Sequence, residues 1–176
     1  MNDIIINNSN LLVSQVANCI LELGDSYDVE ITNLKLQKLL YFSDGLYYTV
    51  TGNYLFNKRM QAWKFGPVAD EIYYEFRHFG KKPIKNIRSC YYDPETEQEP
   101  SFLTVSEKNN KEAFNIIKAN FILLAEQESF ELVEQSHIFD GPWYRAYQIA
   151  PNHPIEFTAE DAIMFQEYST RLINNL

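Results

Sequence analysis

The chain has 176 residues, of which 45% are hydrophobic and 22% are charged, so it has enough apolar material for one domain with a core. This composition excludes a disordered protein and a small disulfide-stapled scaffold, and no apolar run approaches the roughly 20 residues that span a bilayer. The formal net charge of −9 argues against non-specific binding to nucleic acid, whose phosphates attract basic surfaces.

Two helices are predicted at the start of the chain. Apolar residues recur at three- and four-residue steps over residues 10–23, and Gly24 is the expected end of this first helix. The same kind of pattern predicts a second helix over residues 33–50, with Gly52 as its C-terminal stop. Gly45 lies inside this helix, where glycine costs about 1 kcal/mol relative to alanine, so we expect a close helix contact there.

A short extended segment and a Gly-Pro pair follow. Residues 59–65 are predicted to form a short strand or an extended segment. Gly66-Pro67 is then expected to begin a third helix, because proline suits the first helical turn, where its missing N–H needs no partner. Gly80 is the expected end of that helix.

The second half of the chain predicts a hairpin and then more helices. Residues 84–92 and 101–105 are expected to pair as two strands, joined by an exposed acidic loop over residues 93–100. Helical segments are then expected from Ser106 to Ala125, after Ser129, from Gly141-Pro142, and over residues 159–174 with Thr158 as the cap. We therefore predict a single domain over residues 1–176, with its core over about 11–170. Its class is α+β and predominantly α-helical, with about five to six helices and a small antiparallel hairpin or sheet.

No group of residues favours catalysis or metal binding. His78, His137 and His153 lie on separate predicted elements, and none has the spacing that forms a metal site. His137 with Asp140 is one pair that could act in catalysis, because a carboxylate can orient an imidazole, although such a histidine more often ties a loop to its neighbour. We expect no catalytic residues, no metal and no cofactor.

The cysteines and the N-terminal residues bear on the compartment. Cys19 and Cys90 are far apart and belong to no motif, which is typical of reduced cysteines in a cytoplasmic protein. No basic segment precedes an apolar one at the start of the sequence, so a signal peptide is not expected.

Charge is distributed unevenly along the chain. The net charge is −5 over residues 1–30, +6 over residues 31–90 and −10 over residues 91–176. The basic middle would suit an acidic partner and the acidic flanks a basic one, while a solvated surface remains the third possibility. Aromatic residues are abundant throughout, with 12 Phe, 12 Tyr and 2 Trp, so those in the basic middle do not indicate nucleic-acid stacking.

Three segments, in this order and spacing, resemble the Panacea domain, the family that includes the phage-associated protein GepA and the SocA antitoxin. They are ITNLKLQKLLYF at residues 31–42, AWKFGPV at residues 62–68, and Ser136-His137 followed by Gly141-Pro142-Trp143. The resemblance covers roughly residues 11–170. All three segments together are more specific than any one alone.

The resemblance implies an antitoxin of a bacterial or prophage toxin–antitoxin pair that neutralises a partner toxin by direct protein–protein binding. A neighbouring gene would encode the toxin. The acidic flanks of this chain would suit a basic toxin. The resemblance leaves open a proteolytic adaptor that delivers a toxin to the protease ClpXP, and a phage or mobile-element protein that binds a host factor. None of these roles requires an enzyme, a membrane or nucleic acid, and the oligomeric state remains open.

Residues of the three segments are the candidates for the family signature and for partner binding. They are Lys35, Gln37, Lys38, Tyr41, Trp63, Lys64, Gly66, Pro67, His137, Pro142 and Trp143. The lysines and Gln37 are polar in an otherwise apolar signature, so they either satisfy buried partners or face a protein. His137 is expected to link the late helices to the segment around Trp63 by hydrogen bonding.

Overall fold

This computed structural model describes residues 11–90 and 102–174. These residues form seven α-helices and a small three-stranded sheet. The helices are α1 (Val13–Tyr27), α2 (Asn33–Thr51), α3 (Asp70–Phe76), α4 (Lys111–Leu124), α5 (Ser129–Ser136), α6 (Pro142–Ile149) and α7 (Ala159–Asn174). The strands are β1 (Gln61–Trp63), β2 (Gly66–Val68) and β3 (His153–Pro154), and a 3-10 turn (Arg77–Phe79) extends α3.

The predominantly helical α+β class is confirmed, but the predicted number of five to six helices is too low. Both short segments expected after Ser129 and from Gly141-Pro142 are complete helices of eight residues, α5 and α6, and counting both gives seven helices. A capping box at Glu128 begins α5, and Pro142 in the first turn begins α6 as predicted.

The first helix ends later than predicted. It begins at Val13 rather than at residue 10, because Leu12 is extended, and it continues to Tyr27. Gly24, the predicted end, lies within the helix, where an added Cβ would come within 2.8 Å of the Ile31 side chain. Close packing against Ile31, rather than helix termination, therefore explains this glycine.

The second helix is the centre of the fold and has nearly the predicted bounds. At its start the Thr32 hydroxyl accepts a hydrogen bond from the backbone N–H of Lys35 at 3.2 Å, and Gly52 ends it with a φ of +72°. Every residue from 36 to 45 is buried, because α1, α4, α5, α7 and β2 surround the helix. Both faces of α2 therefore belong to the core.

Buried polar side chains of α2 bind the elements around it. The Asp44 carboxylate accepts the backbone N–H of Leu55 at 2.7 Å, and burial raises the pKa of Asp44 to about 7. The Ser43 hydroxyl accepts a hydrogen bond from the Asn120 amide of α4 at 2.9 Å. These bonds satisfy polar groups that burial would otherwise leave without partners.

Gly45 lies where α2 packs against α7, which confirms the predicted close helix contact. An added Cβ at this position would lie 2.3 Å from the ring of Phe165. That ring packs edge-on against the rings of Tyr41, Phe42 and Phe157, so it has little room to move. The glycine lets the two helices approach closely.

The sheet has the order β2-β1-β3, and both pairings are antiparallel. The predicted strand at residues 59–65 is confirmed in its central part, where Ala62 lies opposite Pro67 on one side and His153 on the other. The prediction that Gly66-Pro67 begins a helix is wrong. The pair forms an edge strand, which tolerates the missing proline N–H, and the φ of +106° at Gly66 is incompatible with a helix.

The predicted hairpin is also wrong, since its described residues, 84–90 and 102–105, form no strand. The Ser89 N–H donates to the side-chain oxygen of Asn18 at 2.7 Å. The Asn18 amide in turn donates to the carbonyls of Ser89 at 2.9 Å and Leu103 at 2.8 Å. One buried side chain of α1 therefore satisfies backbone groups that strand pairing was expected to satisfy. The acidic loop predicted between the two strands lies outside the described residues.

The predicted start of α4 is wrong, whereas the predicted cap of α7 is confirmed. The cap of α4 is Asn110 rather than Ser106, because the Asn110 side chain accepts the N–H of Ala113 at 3.1 Å. The cap of α7 is Thr158 as predicted, and its hydroxyl accepts the N–H of Asp161 at 3.3 Å.

Candidate functional site

An apolar groove of about 500 Å³ opens beside the N-terminal end of α2. It lies between the turn that joins β1 to β2, the α3 segment and the C-terminal end of α6. Its apolar walls come from Leu34, Trp63, Phe65, Val68, Tyr73 and Tyr147. Two other hollows, one of about 260 Å³ beside the end of α1 and one of about 530 Å³ beside α3, contain none of the candidate residues of the family signature. The groove is therefore the candidate site.

The floor of the groove is a closed network of side-chain amides. The Gln37 side chain accepts the backbone N–H of Ala69 at 2.8 Å and donates to the Asn33 side chain at 3.1 Å. Asn33 donates to the carbonyl of Tyr73 at 3.0 Å. Because these amides bind the protein itself, the floor favours an apolar occupant over a polar one.

Trp63 forms one wall of the groove and is held in place on two sides. Its indole N–H donates to the Gln61 side chain at 2.8 Å. Its ring packs edge-on against Tyr73, with ring centroids 5.0 Å apart, and against Tyr74, with centroids 5.8 Å apart. The predicted candidate Trp63 is therefore half-buried and oriented before any partner binds.

Two cations, Lys64 and Arg77, line the rim of the groove, and both are exposed. The ammonium of Lys64 lies 5.5 Å from the ring centroid of Phe65, and the guanidinium of Arg77 lies 5.6 Å from that of Tyr74. Within residues 11–90 and 102–174, neither cation forms an ion pair, and no acidic side chain lines the groove. The rim therefore carries positive charge that no acidic side chain of the described residues pairs with.

A buried lysine holds the turn above the groove. The ammonium of Lys38 donates to the carbonyls of Phe65 at 2.9 Å and Pro67 at 3.3 Å. Removal from water lowers the pKa of Lys38 to about 7. Gly66 lies directly over it, since an added Cβ would be 2.3 Å from the ammonium nitrogen. The candidates Lys38, Gly66 and Pro67 therefore shape the turn that carries Phe65, and their contacts are internal.

The link between α6 and β1 is made by Trp143, not by His137. The Trp143 indole donates to the carbonyl of Trp63 at 2.9 Å. The His137 ring packs edge-on against Trp143, with centroids 3.8 Å apart, but its buried Nε2 has no hydrogen-bond partner among the described residues. The expected hydrogen-bonded link through His137 is therefore wrong. Burial, and then the nearby charge of Lys38, lower the pKa of His137.

Replacing Trp143 with Phe tests this link. We expect a loss of about 1 to 2 kcal/mol in the free energy of unfolding, because the part-buried carbonyl of Trp63 loses this donor. The measurement is urea denaturation followed by circular dichroism. The matched control is Trp63→Phe. Because the Trp63 indole bonds only the half-buried side chain of Gln61, this variant should lose less unfolding free energy than Trp143→Phe. Equal losses in the two variants would contradict the assigned role of Trp143.

The three remaining candidates lie away from the groove. The half-buried Lys35 donates to the carbonyl of Ala125 at 2.8 Å, which lies at the C-terminal end of α4. Tyr41 is in the core, and its ring lies 5.6 Å from that of Phe165. Pro142 is buried in the first turn of α6. The structure thus brings Gln37, Trp63 and Lys64 together in the groove and gives the other candidates structural contacts.

Sequence reasoning missed several residues that line the groove as site candidates. Leu34 carries a detectable signal, because it is an apolar residue off the core stripe of α2 and remains exposed. Tyr147 and Arg77 carry no such signal, since their elements are distant along the chain from the signature segment of α2. Tertiary structure alone brings them to the groove.

The part of the chain that the structure describes contains neither a metal-binding cluster nor a membrane-spanning helix. No cluster of three or more His, Cys, Asp or Glu side chains that could hold a metal ion occurs in residues 11–90 and 102–174. Over the same residues, every helix is too short or too polar to cross a bilayer.

Comparison with known proteins provides the family context. A family model described as "Antitoxin SocA-like, Panacea domain" matches residues 36–144, which is more than half of the chain. A curated relative, antitoxin SocA of Caulobacter vibrioides (strain NA1000 / CB15N), is 34% identical over 134 residues. The alignment covers 73% of this chain and 66% of the relative, so the chain spans slightly less than two thirds of the relative's length. No solved structure matches the chain.

Proposed function

Because this chain belongs to the SocA-like antitoxin family with a Panacea domain, we propose that it is an antitoxin that neutralises a partner toxin by binding it directly. The observation that carries this proposal is the preformed apolar groove, whose floor, wall and rim use the signature residues Gln37, Trp63 and Lys64. The role requires recognition of a protein, and we propose no catalytic step and no cofactor.

The groove would be the centre of a larger interface. A stable protein–protein complex buries more than about 1,000 Å² in total, which exceeds what the groove alone offers. The exposed ring of Tyr74, which lies outside the groove lining, would extend the contact beyond Phe65 and Arg77. Binding of this size would inhibit the toxin by covering its active site or by holding it in an inactive conformation.

An adaptor that delivers the toxin to a protease such as ClpXP is the second candidate function. An adaptor needs two binding surfaces, one for the toxin and one for the protease. Phe130, Ile138 and Phe139 are exposed large hydrophobic residues in the α5–α6 region, and none of them lines the groove. We propose that these residues would provide the second binding surface that an adaptor requires.

Co-expression with the neighbouring open reading frame tests the proposed function. We expect the neighbour's product to stop growth when expressed alone, and this protein to restore growth when expressed with it. The two proteins should also purify together at constant stoichiometry through an affinity tag on either one. A neighbour that does not inhibit growth and does not co-purify would refute the proposed pairing.

The level of the toxin separates the two candidate mechanisms. Sequestration predicts that the amount of toxin holds steady or rises when this protein is present. Delivery to a protease predicts that the amount falls, and that deleting the protease gene restores it. Immunoblotting of the tagged toxin, with and without this protein, gives the comparison.

A further inference from the structure

The lining of the groove indicates which kind of side chain would bind in it. Four aromatic rings and two aliphatic side chains form its walls, and the polar groups on its floor are bound to one another. A cavity of about 500 Å³ with such a lining suits one or two large apolar side chains. A polar or charged group placed at the bottom would lose its water without gaining a full set of partners.

The rim adds a charge requirement to this apolar interior. Lys64 and Arg77 are exposed, and they have no ion pair among the described residues. Some other cations of the fold are paired within it: Lys58 with Asp70 at 2.6 Å, for example, and Lys85 with Glu30 at 2.7 Å. Carboxylates on either side of an apolar anchor would meet the two rim cations and pair with them.

The groove is held in shape before a partner arrives. Lys38 holds the carbonyls of Phe65 and Pro67 from below, and Trp143 holds that of Trp63. A wall that is already ordered loses little conformational entropy on binding, which favours a short docked segment. Both charged residues that line the groove come from the basic middle of the chain, and the described residues of the acidic flanks contribute none.

We propose that the groove is the docking site for a segment of the partner protein in which a large apolar side chain is flanked by Asp or Glu. This inference rests on the proposed function and names the part of the toxin that would dock. The apolar side chain enters between Trp63, Phe65 and Tyr147, and the flanking carboxylates pair with Lys64 and Arg77. The docked segment is acidic even if the toxin as a whole is basic.

The first experiment needs no toxin. A displayed library of random peptides is selected on the immobilised full-length protein, and the affinities of enriched peptides are measured by fluorescence anisotropy. We expect enriched peptides to share a Phe, Trp, Leu or Met with neighbouring Asp or Glu. Lys64→Glu and Phe65→Ala should each weaken binding about tenfold, as expected for central interface residues.

Matched control variants separate the groove from the rest of the surface. Phe102→Ala removes a phenyl ring that is 64% exposed, close to the 69% of Phe65, from outside the groove. Lys108→Glu makes the same charge reversal as Lys64→Glu at another exposed position. Both controls should change peptide affinity less than about twofold. Selection of basic peptides, no enrichment at all, or equal effects of groove and control variants would overturn the inference.

The second experiment uses the neighbouring gene product and distinguishes the two proposals. If the wild-type protein retains the toxin and Lys64→Glu and Phe65→Ala release it, both proposals are supported. If all variants retain the toxin equally, the groove inference is overturned while the antitoxin role stands. If no toxin is retained but acidic apolar peptides are selected through the groove, the antitoxin pairing fails and the docking chemistry stands.

Discussion

Replacing Gly45 with Ala is expected to destabilise the protein by about 3 kcal/mol, although alanine is the better helix former by about 1 kcal/mol. The added Cβ would lie 2.3 to 2.5 Å from three atoms of the Phe165 ring. That ring cannot move away freely, because Tyr41, Phe42 and Phe157 pack against it. Urea denaturation at neutral pH measures the loss.

A double-mutant cycle tests whether the ring is the cause. Phe165→Leu shortens the opposing side chain, so the double variant should lose at least about 1 kcal/mol less than the sum of the two single losses. The control is Gly52→Ala, where an added Cβ meets nothing within 4 Å. Its expected cost is about 1 kcal/mol and comes from the positive φ of +72° alone. Additive losses at positions 45 and 165 would contradict the proposed contact.

Replacing Lys38 with Met is expected to cost about 3 kcal/mol at neutral pH. Methionine fills a similar volume, but it leaves the carbonyls of Phe65 and Pro67 without their donor. The control is Lys35→Met, which removes one hydrogen bond from a half-buried lysine and should cost about 1 kcal/mol. A cost at position 38 no larger than that at position 35 would contradict the role of Lys38 in holding the turn.

The pH dependence of stability provides a second test of Lys38. Burial lowers its pKa from 10.5 to about 7 in the folded protein. Between these values the unfolded chain binds more protons than the folded one, so stability rises with pH, by about 2 kcal/mol between pH 7 and pH 9. Below pH 7 both states are protonated, and this contribution no longer changes.

The difference between wild type and the Lys38→Met variant isolates this contribution. Burial raises the pKa of Asp44 to about 7 and that of Cys19 to about 12, so these groups affect stability mainly below pH 7 and above pH 9. Both proteins contain them, and their effects cancel in the comparison. We expect the difference in unfolding free energy to grow between pH 7 and pH 9. A constant difference would show that Lys38 keeps an ordinary pKa.

Local patterns in the sequence predicted the elements that depend on neighbouring residues. The bounds of α2, the start of α6 at Pro142 and the cap of α7 at Thr158 all follow from helix periodicity and capping, which act over one or two turns. The close contact at Gly45 was also predicted, because a glycine inside a helix needs a packing reason.

Elements that depend on distant side chains were predicted wrongly. The Asn18 side chain satisfies backbone groups 71 and 85 residues away, which removes the need for the expected hairpin. Lys38 does the same for the turn around Gly66, where the expected helix start is an edge strand. No local pattern reports such a bond, because its energy depends on two segments that meet only in the folded chain.

By itself, the sequence determined the fold class, the family and the helices whose caps and apolar stripes are local. It also supplied three of the residues of the candidate groove: Gln37, Trp63 and Lys64. Only the tertiary structure decided that Lys38 is an internal support and that Tyr147 and Arg77 complete the groove. The physical reason is burial: whether a polar side chain in a signature binds a partner or a buried carbonyl depends on which segments surround it.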